Sequence, residues 1–192
     1  VITSEWGTPD LFENGLNLEA AVGGKYGHKI HVWDLKTHNH LHELDLGKEN
    51  QMVLELRPSK NPKNTYGFVG VVVNTQYLSA SIWTWYLEKD EWKIKKTITI
   101  PAQPAAAEDL PAPLKQFGAA PPLITDINLS LDDKFLYVSC WGTGELHQYD
   151  VSDPFNPKLT GMVEIGGVAK KKAHPNGSPA SGGPQMVELS RD

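Results

Sequence analysis

The sequence predicts an all-β chain, a β-propeller of four-stranded antiparallel blades. Three observations lead there. The short runs "KIHVWDL", "YGFVGVVVN", "SIWTWYL", "KIKKTITI", "FLYVSCW", "ELHQYDV" and "LTGMVEI" are rich in β-branched and aromatic residues and are separated by Gly, Pro, Asn or Asp. Such residues fit a pleated, half-buried surface, and the separators fit the turns between strands. No window of helical length keeps an apolar stripe at 3.6-residue spacing, and "NLEAAVGG" supports one or two turns at most. A plan of four strands also recurs at about 45 residues, the size of one propeller blade.

Taken in order, residues 1–47 read as a partial blade holding its second to fourth strands. "VITSEWG" is the second strand, "HKIHVWDL" the third, ending in Trp33-Asp34, and "HLHELDLG" the fourth. Residues 53–100 make a blade in which Trp92 falls in the turn before the last strand and Ile100 closes it. Residues 123–166 give the clearest copy: strand, Asp-Asp turn, strand, Gly turn, a strand ending in Tyr149-Asp150, a Pro-rich turn and a last strand. Trp85 stands at the station of Tyr149, and Ile100 at that of Ile165. Residues 184–192 start a further blade, since "MVELSRD" matches "DINLSLD" with Ser190 on Ser130 and Asp192 on Asp132.

Two long loops interrupt the spacing. Residues 101–122 are rich in Pro and Ala and either cover a binding face or form a mobile insertion; residues 167–183, rich in Gly, Ser and Pro, read as flexible. The phrase Ser4, Trp6, Gly7, Thr8 returns as Ser139, Trp141, Gly142, Thr143. This repeat puts Glu5 and Cys140 at one structural station and makes Trp6 and Trp141 wedges between blades. About three blades cannot close a ring that takes roughly 4 to 8, and an open ring exposes sheet edges. The chain is therefore expected to be the central part of a larger propeller.

Composition narrows the function. The 192 residues carry 18 basic and 23 acidic side chains, a net charge of −5, and Lys170 to Lys172 form the one basic run, read as a solvated loop. A nucleic-acid partner is not expected. No apolar stretch approaches the roughly 20 residues that span a bilayer as a helix. Cys140 is the single cysteine, so no internal disulfide forms. There is no G-x-S-x-G elbow, P-loop or C-x-x-C pair, and "GTGELH" lacks the third glycine of a dinucleotide fingerprint.

A few side chains carry possible chemistry. His38, His40 and His42 alternate in "THNHLHEL", so a regular strand would put three imidazoles on one face, as a metal ion would need; the alternative is a solvated face near a hairpin turn. His28 and His31 fall on opposite faces. Cys140 would act as a nucleophile or redox centre only as a thiolate beside positive charge, and is otherwise a buried small side chain. Glu5 and Asp126 are acids within apolar strands, "ITSEW" and "LITDINL". They face a channel or metal site, or they bond to the backbone of a neighbouring blade, since a buried acid needs a partner.

The template "LITDINLSLDDKFLYVSCWGTGELHQYDVSDPFNPKLTGMVEIGG", together with "TSEWGTP", "YGHKIHVWD", "GFVG" and "GGPQMVELSRD" in that order, resembles the selenium-binding protein family, whose members include methanethiol oxidases. The resemblance runs through nearly the whole chain. It implies a seven-bladed parent and a copper-dependent oxidation of methanethiol with O₂ and water to formaldehyde, hydrogen sulfide and hydrogen peroxide. The copper-binding histidines, an adjacent His-His pair among them, and the cysteine proposed to carry selenium are not matched within these residues. No catalytic residue carries over, and the segment alone is expected to be inactive. The alternative is a non-catalytic propeller that binds selenium or a protein partner. The resemblance is compatible with the cytosol, or with the periplasm for a bacterial member.

Overall fold

Strand alternation builds the molecule. In β2 (Lys29–Trp33) the buried positions are Ile30 and Val32, with Lys29 and His31 on the other face, the period of two that a pleated strand imposes. The structure, a computed structural model, describes the chain apart from residues 12, 14, 16, 174, 191 and 192. β1 (Ile2–Ser4), β2 and β3 (His40–Asp45) form one antiparallel sheet in that order. β4 (Asn50–Pro58), β5 (Tyr66–Asn74), β6 (Ala80–Glu88) and β7 (Glu91–Ile100) form a four-stranded meander. After it come a two-stranded ribbon, β8 (Gln103–Pro104) with β9 (Ala119–Ala120), and then a second four-stranded meander. This is made of β10 (Ile124–Leu129), β11 (Phe135–Cys140), β12 (Glu145–Asp150) and β13 (Lys158–Glu164). The all-β class and the four-stranded antiparallel unit are as the sequence predicts.

The core lies between sheets. Ile30 and Leu44 of the first sheet pack on Val53, Val69, Val71 and Trp85 of the second. Phe68, Ile82, Ile98 and Ile100 of the second pack on Ile127, Leu136, Val138 and Tyr149 of the third. Each such aliphatic side chain is worth roughly 1.5–3 kcal/mol on burial, so these two layers hold the sheets face to face.

Local details differ from the sequence reading at two places. The β6–β7 turn is Lys89-Asp90, both with positive φ (50° and 65°), the two-residue hairpin turn that matches strand twist. Trp92 is therefore inside β7, opposite Leu87, and not in the turn. The stretch 184–190 runs as extended chain beside β10 without joining a backbone ladder. It is tied by side chains: Thr125 Oγ1 donates to the Gln185 carbonyl (2.7 Å), the Val187 N–H to Asp126 Oδ2 (2.7 Å), and Asn128 Nδ2 to the Val187 carbonyl (3.1 Å). The match of Asp192 to Asp132 lies outside the described residues.

The helical content is small. α1 (Leu18–Val22) is capped by Asn17, whose side chain accepts from the Ala20 N–H (2.9 Å). Residues 101–122 are ordered by packing: between β8 and β9 they carry a short 3-10 helix, Ala112–Phe117, and bury Leu110 against Ala120 and Val168.

Candidate apolar cleft and its supports

One end of the sheets collects the beginnings of β4 and β10, the ends of β5 and β11, and the long insertions. There Trp6, Tyr26, Met52, Val72, Leu123 and Trp141 line a cleft of about 940 Å³, with Pro111, Leu114 and Phe117 of the 101–122 segment as one wall. Leu11, Ala21 and Tyr26 also line it, and with Ala20 they pack against Met52, Val72 and Val73. The Tyr26 hydroxyl donates to the Leu11 carbonyl (2.7 Å) and accepts from the Asn17 N–H (2.9 Å), so its ring is fixed while presenting an apolar face. Trp6 meets Tyr26 edge-on, ring centres 6.5 Å apart. Thus Trp6 and Trp141 line the cleft and do not serve simply as wedges between sheets. The volume is at the upper end for small-molecule sites, and the lining is overwhelmingly apolar with a few polar groups at its edge, as such sites usually are.

The turn carrying Trp141 is fixed by close backbone approach. Gly144 has φ +81°, and a Cβ there would sit 2.1 Å from the Gly166 carbonyl carbon. Gly182 lies under the Trp141 indole, where a Cβ would be 2.6 Å from Nε1. Only glycine fits these contacts.

Below this turn is a polar cluster that the sequence reading did not single out. Glu145, His147 and Tyr149 share the buried face of β12. Glu145 Oε2 accepts from Thr143 Oγ1 (3.1 Å) and meets His147 Nε2 (3.1 Å), and Oε1 accepts from Gln103 Nε2. His147 Nδ1 lies 3.2 Å from the Tyr149 hydroxyl. A carboxylate only accepts, so Nε2 of the ring donates to it, and in a neutral imidazole Nδ1 then accepts from the tyrosine. Burial pushes the Tyr149 hydroxyl well above its usual range, with the Cys140 and Glu145 charges adding to the effect. The signal was present as E-x-H-x-Y in "ELHQYD": alternation defined the strand, but the inward face is polar, the reverse of the usual pattern.

The candidate side chains separate. A bulge between Val32 and Trp33 puts His40 opposite Trp33 and His42 opposite Val32, so these two imidazoles do not share a face, and His38 lies in a turn with φ 58°. The expected alignment of three imidazoles is corrected by that bulge, since one extra residue shifts the alternation. His40 instead meets His31 (Nε2 to Nδ1, 3.0 Å), and His31 Nε2 meets Glu5 Oε1 (2.8 Å). Asp126 is buried, ion-paired with Arg57 (3.0 Å) and bonded to the Val187 N–H. Loss of water raises its pKa above the ordinary carboxylate value, against the lowering by that N–H and by Arg57. Cys140 is fully buried; desolvation, then the Glu145 charge, pushes its thiol far up, the opposite of what a reactive thiolate requires. Cys140 and Glu5, equivalent in the repeated phrase, therefore differ in environment.

The model of the family described as 56kDa selenium binding protein matches residues 1–192. This chain belongs to the selenium-binding protein family. It is 38% identical to a methanethiol oxidase of Xenopus laevis and 37% identical to that of Homo sapiens, covering 100% of this chain and 42% of each relative. It is also similar to the X-ray structure of a hypothetical selenium-binding protein from Sulfolobus tokodaii, with 50% identity and a TM-score of 0.93 over 100% of this chain and 42% of that one. The chain thus spans under half the length of these family members. Among the described residues no group of three or more His, Cys, Asp or Glu side chains is placed to hold a metal ion. Among them, too, no helix is long and apolar enough to cross a membrane.

Proposed function

We propose that this chain contributes the scaffold and an apolar thiol-binding cleft to a methanethiol oxidase, which converts methanethiol, O₂ and water to formaldehyde, hydrogen sulfide and hydrogen peroxide. The observation that carries the reading is the cleft of about 940 Å³ with Trp6, Tyr26, Met52 and Trp141 in its lining, in a chain whose relatives are named methanethiol oxidases. A methyl group moved from water to such a surface gains about 0.8 kcal/mol, and sulfur against an aromatic edge gains roughly 0.3–1.5 kcal/mol. The walls hold the substrate carbon and sulfur away from bulk water. Copper belongs to this reading as the cofactor that the resemblance implies, held by ligands outside these residues, and the cytosol is the proposed compartment.

The alternative is a binding platform for selenium or a protein. In that reading the selenium-carrying cysteine lies outside these residues, since Cys140 is buried and its thiol is pushed up. The oxidase reading is tested by adding methanethiol to the longest polypeptide that carries this sequence and following hydrogen sulfide and hydrogen peroxide together. Equal appearance of both supports it; a protein that yields neither sinks it.

A further inference from the structure

We propose that Glu145 is the positioning residue of the cleft, a buried carboxylate from which two of its walls hang. The inference rests on the cleft being the ligand site. Glu145 does not itself line the cleft. One of its oxygens accepts from Gln103, the residue that opens the segment whose Pro111, Leu114 and Phe117 form a wall. The other accepts from Thr143 (3.1 Å), in the turn whose Trp141 forms another.

His147, locked by Tyr149 behind it, takes the remaining donor position on the same oxygen. Facing this cluster from β11 is Cys140, opposite Glu145 in register; Cys140 and Tyr149 pack with Ala80, Ile82, Ile98 and Ile100 of β6 and β7. Glu145 and Thr143 are both buried, so a lost partner leaves a buried polar group unsatisfied. The turn is also tied to the end of the segment through the backbone, the Trp141 N–H donating to the Leu123 carbonyl (3.1 Å) and the Gly142 N–H to the Pro122 carbonyl (2.7 Å), and Gly144, Gly166 and Gly167 are in backbone contact, so the turn and the segment move together. A change at the carboxylate is therefore transmitted to both walls at once.

The test titrates a neutral apolar fluorophore, N-phenyl-1-naphthylamine, into the longest polypeptide that carries this sequence and follows amide hydrogen exchange over residues 103–123. Gln103→Ala and Thr143→Val are each expected to weaken binding about fivefold, the worth of one hydrogen bond. Glu145→Gln, which keeps the volume but replaces an acceptor with a donor, weakens it at least as much and speeds exchange in the segment. The double variant Gln103→Ala/Glu145→Gln binds no more weakly than Glu145→Gln alone, because both act through one contact. A purely structural role would lower the melting temperature while leaving folded-state affinity unchanged and the two effects additive. Wild-type affinity and wild-type exchange in Glu145→Gln and Gln103→Ala overturn the proposal. If Trp141→Ala binds the fluorophore as wild type does, the cleft reading fails instead. Exchange then decides the positioning role alone: faster exchange in Glu145→Gln upholds the attachment of the segment, and unchanged exchange overturns it.

Discussion

At Asp126 a carboxylate is withdrawn from water between Arg57 and the Val187 amide. Its raised pKa means that folding opposes ionisation, so its contribution to stability is largest when protonated and is lost as pH rises through the folded value. Asp45 behaves oppositely. The Gly47 N–H, followed by His28, holds it below the usual range, so its contribution is present above the ordinary carboxylate pKa and is lost as pH falls through the folded value. Denaturation curves from neutral to acid pH should therefore show wild type gaining on Asp126→Asn and losing on Asp45→Asn; the same trend in both would refute these assignments. Arg57→Met should cost about 3 kcal/mol at neutral pH, since it strips the partner from a buried charge, and thermal melts will read it. At this scale the sequence identified Asp126 as an acid in an apolar strand and offered two settings for it, a channel or metal site and a bond to the backbone of a neighbouring blade. It could not show that His40 pairs with His31, because the bulge that rotates the strand follows from pairing with β2.

Turns show the same division between local and tertiary information. Gly144 and Gly118 both have positive φ, +81° and +60°, but a Cβ at Gly118 meets nothing within 4 Å while one at Gly144 meets the Gly166 backbone at 2.1 Å. Gly118→Ala should cost about 1 kcal/mol from backbone strain alone. Gly144→Ala should cost several times more and move Trp141; urea titration with tryptophan emission distinguishes the two, and equal losses would refute the close packing. Strand positions were legible from alternation and turn residues. The structure of residues 101–122 was not, because composition describes the isolated segment, whereas Leu110 is ordered not only by Ala120 of the same segment but by Val168 from a distant part of the chain. "ELHQYD" was legible as a strand but not as a polar inner face, since the pattern rule takes the buried side to be apolar.

Over the whole molecule, the two inter-sheet layers make a rigid frame, and the insertions at one end make the cleft. The repeated four-strand plan was readable from sequence because each sheet repeats the same alternation. The cleft was not, because it is assembled from residues between Trp6 and Val168 that meet only after the sheets pack. Leu123→Trp should fill part of it, leave the melting temperature within a few degrees, and weaken fluorophore binding about tenfold, the equivalent of 1.4 kcal/mol. The central claim is tested most directly by methanethiol turnover in the longest polypeptide carrying this sequence, comparing wild type with Leu123→Trp while hydrogen sulfide and hydrogen peroxide are followed together. The account predicts both products in equal amounts and a KM raised by roughly tenfold in the variant with a smaller change in kcat. Absence of both products, or a variant with wild-type kinetics, would contradict it.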